Sequence, residues 1–204
     1  LDHRIFQLPD DKRDTDQATN SVAAALDQVR MIRDGVTAAS GATAVFQTLA
    51  PPPMTLLGNF DRQLPGSLRS LADRFNAEMV TTLQGTGDLI LDVAALAQTV
   101  GLDTWHDATQ WNLAKLPFAQ AAIPLYADHV ARLLGAMKGK SRKCLVLDLD
   151  NTIWGGVIGD DGLDGIALGE GDPTGEAFLD VQRAALQLRS MGIILAVCSK
   201  NEDS

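Results

Sequence analysis

Two aspartates set two residues apart, Asp148 and Asp150, are the side chains best placed to do chemistry. They close the apolar run Lys143 to Leu149 (KCLVLDL), which reads as a strand. A parallel strand covered on both faces is almost wholly apolar, and this one is so from Cys144 until Asp148. Carboxylates at such a strand end are costly to bury unless a cation pairs with them. Ligands of open α/β sheets gather at the carboxyl ends of the strands. Mg²⁺ takes the oxygen ligands that carboxylates offer. One aspartate can attack phosphorus and carry the phosphoryl group. The other can protonate the leaving oxygen and then activate water. A bare D-x-D is also compatible with a strand that ends in an Asx turn. The apolar run ahead of Asp148 and Thr152 behind it weigh toward phosphate chemistry.

The elements that must position these groups are legible as an alternation of strands and helices. Val22, Leu26, Val29, Ile32 and Val36 recur at helical steps and predict a helix from about Gln17 to Val36. Ala44 to Leu49 reads as a buried strand that runs into Pro51, Pro52 and Pro53. Ser67 is placed to cap a helix whose stripe is Leu68, Leu71, Phe75 and Met79. Asp88 to Val93 is the next strand, and Pro124 suits the first turn of a helix carrying Tyr126, Val130, Leu133 and Met137. After Gly139 the pattern restarts with the Asp148 strand and a glycine-rich stretch from Gly155 to Gly175. A helix then follows, capped by Thr174, buried through Phe178, Val181, Ala185 and Leu188, and stopped by Gly192. Ile193 to Cys198 (IILAVC) is the closing strand. This order predicts an α/β fold of parallel sheets with flanking helices. The expected domains are residues 1–139 and 140–204.

The segment LVLDLDNT resembles the first motif of the haloacid-dehalogenase (HAD) superfamily of phosphatases and phosphotransferases. The resemblance implies Asp148 as nucleophile and Asp150 as general acid/base. It implies Mg²⁺ on the Asp148 carboxylate and the Asp150 main-chain carbonyl. It also implies a phosphoryl-binding hydroxyl at the end of the next strand, where Ser199 stands. Three longer stretches, DLDNTIWGGVIGDDGLDGI, GEAFLDVQRAALQLRSMGI and LAVCSKNEDS, are similar to the FkbH-like branch of that superfamily. Members load a glyceryl unit from 1,3-bisphosphoglycerate onto an acyl carrier protein for polyketide pathways. The branch implies a cysteine thioester, and Cys198 beside Ser199 is its better candidate; a core thiol is the competing reading. Thr152, Lys200 and Asn201 are further candidates for phosphate contact, with a plain loop as the alternative for the last two. Trp154 and the glycines after it are expected to form a flap that excludes water or packs against the body.

The upstream domain resembles SGNH hydrolases more loosely. Asp103 and His106 have the D-x-x-H spacing of their acid–base pair. The Gly-Asp-Ser block of that family is absent, so this domain is expected to be N-terminally incomplete and to serve as a scaffold or docking element. The HAD-like Rossmannoid domain is expected to be C-terminally incomplete, because its lysine and further carboxylates would lie downstream. The fragment alone is therefore expected to be weakly active or inactive.

Composition narrows the partners. A net charge of −9 argues against nucleic acid, which demands a basic face. Lys138, Lys140, Arg142 and Lys143 form a local exception, read as a solvated linker or as a docking patch for an acidic carrier. No apolar run is long enough to span a membrane. Cys144 and Cys198 are expected to be free thiols in a reducing cytoplasm. Three functions compete: the glyceryl transferase/phosphatase, a general Mg²⁺-dependent HAD phosphatase, and a non-catalytic scaffolding or carrier-binding module.

Overall fold

The computed structural model describes residues 2–200. The chain divides into two compact units, Leu1–Lys138 and Gly139–Ser204.

In the first unit, Asp14 starts helix α1 (Thr15–Ser40) by accepting the Asp16 and Gln17 N–H groups. Gly41, at φ +62°, ends it. Strands β1 (Val45–Gln47) and β2 (Leu89–Leu91) pair in parallel, from Val45 opposite Leu89 to Gln47 opposite Leu91. Helix α2 (Leu68–Leu83) lies between them in sequence, and the Ser67 hydroxyl caps it by accepting from the Ser70 N–H. Successive side chains of a strand face opposite ways. Phe46 and Ile90 accordingly join Val22, Leu26, Val29, Leu71, Phe75 and Met79 of α1 and α2 in one cluster. Leu91 joins a second cluster with α3 (Val93–Val100), Trp105 at the end of α4 (Leu102–Trp105), and α6 (Ile123–Met137). A short α5 (Ala108–Ala114) precedes α6, whose Pro124 does sit in the first turn. The unit is thus an α/β sandwich about a two-stranded parallel sheet.

Three expectations need correction here. The α1 stripe is buried only through Val29; Ile32 is 52% exposed, as its helix end passes over a cavity of about 510 Å³ lined also by Val45, Phe46 and Phe118. The first strand is shorter than Ala44–Leu49, and Val45 is exposed at its start. The second strand stops at Leu91 rather than Val93. Asp92 captures the Ala95 N–H and the Thr48 hydroxyl, so Val93 opens a helix instead.

In the second unit, β3 (Cys144–Leu147) pairs in parallel with β4 (Ile194–Val197), from Cys144 opposite Ile194 to Leu147 opposite Val197. Helices α7 (Ile158–Gly165) and α8 (Pro173–Ser190) join them. The cap of α8 is Asp172, which accepts from the Gly175 N–H at 2.8 Å; Thr174 lies inside the helix, because Pro173 already occupies its first turn. On α8, Ala185 is buried while Val181 is 42% exposed, so the buried face is narrower than its periodicity suggests. Gly192, at φ +92°, follows the helix end as expected. The glycine-rich stretch is not all loop, since the short helical turns of α7 form within it on either side of a kink at Gly162, whose φ of +68° is not helical. The expected two-sided burial of β3 is not met, since Val146 is 59% exposed; on its partner β4, Val197 is 60% exposed. Among the described residues only two strands form this sheet, and one of its faces lacks a full cover. No helix among the described residues is long and apolar enough to cross a membrane.

Candidate functional site

The Asp148–Asp150 segment leaves the carboxyl end of β3, where the apolar run predicts it. Asp148 is exposed, and its Oδ1 accepts the Leu149 N–H at 2.8 Å. The chain then turns sharply, with the N–H groups of Thr152 and Ile153 both donating to the Leu149 carbonyl. Asn151 takes a left-handed φ of +52°, a conformation that asparagine tolerates better than most residues. Its Oδ1 accepts the Gly156 N–H at 2.9 Å, while its own N–H donates to the Gly156 carbonyl at 3.2 Å. These bonds close residues 151–156 into a tight loop.

Asp150, half-buried, is held by that loop. Its Oδ1 accepts from the indole Nε1 of Trp154 at 3.0 Å and from the Ile158 N–H at 3.1 Å. The remaining oxygen, Oδ2, has no partner among the described residues. The loop is itself seated on α8 and on the strand-like segment near Ala167. Gln182 Nε2 donates to the Ile153 carbonyl at 2.7 Å. Gly155 and Ala167 exchange backbone hydrogen bonds at 3.0 and 2.8 Å. A Cβ on Gly155 would lie 2.8 Å from Phe178 Cε2, so only glycine lets the backbone come this close. The Trp154 segment, expected as a flap, is thus a fixed turn packed on its own unit.

The second strand brings a hydroxyl to the same end of the sheet. Leu147 and Val197 are the last paired residues, and the Cys198 N–H donates to the Leu147 carbonyl at 2.9 Å. Asp148 and Cys198 therefore follow the two paired strand ends, with Ser199 one residue on. The Ser199 Oγ is buried and has no hydrogen-bond partner among the described residues. Such an atom carries a desolvation cost of about 1–3 kcal/mol until something bonds it. Cys198 is exposed, and Cys144 is exposed at the opposite end of its strand. Lys200 is exposed; Thr152 is half-buried in the turn; Asn201 lies outside the described residues.

The described residues contain no group of three His, Cys, Asp or Glu side chains that could hold a metal by themselves. This still suits Mg²⁺, which keeps several waters and takes one or two carboxylates plus substrate phosphate. Asp148 offers an exposed carboxylate without a bound cation of the protein.

Asp103 and His106 are not brought together as a pair. Asp103 is exposed, whereas the His106 ring nitrogen Nε2 hydrogen-bonds the Pro51 carbonyl at 2.9 Å and its ring lies 6.2 Å edge-on from that of His3. Both line a cavity of about 300 Å³ with Arg4, Met54 and Trp111. Asp103 lies within the one-turn α4 whereas His106 follows its end in an extended conformation, and the histidine is anchored to a loop carbonyl instead of the aspartate.

Sequence reasoning missed three members of the site: the Asn151 clasp, the Trp154 indole donor and the Gln182 strut. The Asn151 to Gly156 spacing was the available signal for the first. Nothing local in α8 announces the third.

No protein-family model and no curated protein matches the chain. Among solved structures, one match is the crystal structure of the N-terminal part of the protein BF1531 from Bacteroides fragilis, containing a phosphatase domain complexed with Mg. The TM-score is 0.82 at 29% identity, over 93% of this chain and 50% of that one. This chain thus spans about half the length of the structure it matches, and its α/β fold is that of the matched part.

Proposed function

We propose that the chain is part of a Mg²⁺-dependent phosphatase or phosphotransferase of the HAD type, with Asp148 as nucleophile. The observation that carries this reading is the buried, unpartnered Ser199 hydroxyl beside the strand end that presents exposed Asp148. Packing alone gives no reason to bury that oxygen unpaired; a phosphoryl oxygen would satisfy it. The likeness to a Mg-complexed, phosphatase-containing structure supports the same class.

On this reading an Asp148 oxygen attacks phosphorus as the bond to the leaving oxygen breaks, and Asp150 gives that oxygen a proton. Water then attacks the aspartyl phosphate, Asp150 takes the proton, and phosphate leaves with Asp148 restored. Ser199 binds the transferring group, with Lys200, Asn201 and Thr152 as further contacts. Asp148 and the Asp150 main-chain carbonyl would hold Mg²⁺, which offsets the charge of the phosphoryl oxygens.

Within this class we read the chain as FkbH-like. The Cys198 thiolate attacks the acyl carbon of 1,3-bisphosphoglycerate and displaces the carboxyl phosphate. The aspartate site removes the second phosphate, and the glyceryl unit passes to the thiol of an acidic acyl carrier protein. Exposure of Cys198 at the same strand end supports this finer reading.

Intact-mass analysis of the full-length protein, with substrate and carrier, tests both levels. Glyceryl on the carrier, lost in Cys198→Ala, supports the transferase. Phosphate release without any acyl adduct leaves the general phosphatase. An Asp148→Asn protein of undiminished activity leaves only a scaffold.

A further inference from the structure

We propose that Trp154 is a positioning residue that aims Asp150 for proton transfer, an inference that rests on the phosphatase reading above. One carboxylate oxygen of Asp150 is fully engaged: Oδ1 accepts both the Trp154 indole N–H at 3.0 Å and the Ile158 N–H at 3.1 Å. Two donors converging on one oxygen fix the plane of the carboxylate. They leave Oδ2, unpartnered among the described residues, as the oxygen that exchanges the proton.

The indole can do this because it is not a loose cover. The turn that carries it is pinned on three sides: by Gln182 on the Ile153 carbonyl, by the Gly155–Ala167 backbone pair, and by the Asn151 clasp on Gly156. Gly155 lies against Phe178, where any larger residue would push the turn off α8. The pinned turn of residues 151–156 thus holds a neutral donor against the acid/base. A neutral donor orients the carboxylate without adding a positive charge that would compete with a cation for it.

The consequence is specific to the leaving group. An alkoxide must be protonated as it departs, whereas p-nitrophenolate departs without help. The test compares kcat/KM of the full-length protein for an alkyl phosphate (glycerol phosphate) and for p-nitrophenyl phosphate, both at saturating Mg²⁺. Trp154→Phe keeps the aromatic bulk and removes the donor. Trp154→His keeps a ring N–H at the same reach and removes the bulk. We expect Trp154→Phe to lose about tenfold or more on the alkyl substrate, a part of the roughly 10²–10⁴-fold that a general acid supplies, and less than about threefold on the aryl one. Trp154→His should regain most of the alkyl activity. Equal losses on both substrates, or a histidine variant no better than phenylalanine, overturn the proposal, since the indole then serves packing alone. If Trp154→Phe does not fold, Trp154→His decides: its alkyl-to-aryl ratio must stay near that of the parent. Asp148→Asn separates the two levels. If it leaves both activities intact, the phosphatase reading itself has failed; if it abolishes both while the Trp154 variants show no selectivity, only the positioning role has.

Discussion

At the scale of single residues, the same carboxylate chemistry serves two ends. At Asp148 a carboxylate stands exposed just past a strand end, and on the proposed reading it is the nucleophile. At Asp88 it is tied down: the Arg33 guanidinium approaches to 2.5 Å, and the Ala44 N–H donates to the other oxygen at 3.0 Å. The Arg33 hydrogen bond first, then the Ala44 N–H, hold the Asp88 carboxyl below the usual carboxylate range. A lowered folded value means that the unfolded chain takes up the proton first as pH falls. The Asp88 contribution is therefore complete above a pH of about 4, the ordinary aspartate value, and disappears as pH drops through the lowered one. Acid titration of the first unit, followed by Trp105 and Trp111 fluorescence, should show a shallower loss of stability below a pH of about 4 in Asp88→Asn than in the parent. The variant should also be less stable at neutral pH. A parallel displacement of the two curves, with no change of slope, would remove the charge from the explanation.

At the scale of elements, close packing decides which residues are tolerated. Phe75 on α2 is fully buried and meets Phe6 edge-on at a ring separation of 5.7 Å. Phe75→Ala should destabilise the first unit by about 3–5 kcal/mol, read from urea denaturation monitored at its tryptophans. Gly175 opens α8 against the preceding loop, and a Cβ there would stand 2.8 Å from the Gly169 carbonyl oxygen. Backbone cannot swing away as a side chain can, so Gly175→Ala should cost about 1–3 kcal/mol. That loss should appear in the Trp154 signal of the second unit and spare the first. A helix start is legible in the sequence where a single short polar side chain precedes it, as Ser67 does. It is not where two such side chains flank a proline, as Asp172 and Thr174 do, because Pro173 settles the matter by fixing the first turn.

At the scale of the whole molecule, each unit is built on a two-stranded parallel sheet among the described residues. Parallel sheets are usually larger and covered on both faces, and this chain spans about half of the structure it matches. A chain of net charge −9 carries Lys138, Lys140, Arg142 and Lys143 together, all exposed and none in an ion pair among the described residues. On the carrier-loading reading, these cations meet the acidic carrier. Replacing Lys140, Arg142 and Lys143 by glutamate in the full-length protein should weaken carrier binding by about tenfold at low salt and flatten its salt dependence. Fluorescence anisotropy with a labelled carrier measures both; unchanged affinity would place docking elsewhere.

The amino-acid order alone determined the alternation of strands and helices, and the arrival of Asp148 and Asp150 at a strand's carboxyl end. Those features rest on periodicity and on caps, which act within a few residues. Tertiary structure decided which faces the elements bury, so Ile32 and Val146 stand open although their patterns predict cover. It also decided that Trp154 bonds Asp150 rather than sheltering it, and that His106 turns to Pro51 rather than Asp103. The reason is geometric: hydrophobic patterning says which side of an element is apolar. Only the packed chain says what stands opposite, and whether a buried oxygen such as that of Ser199 finds a partner.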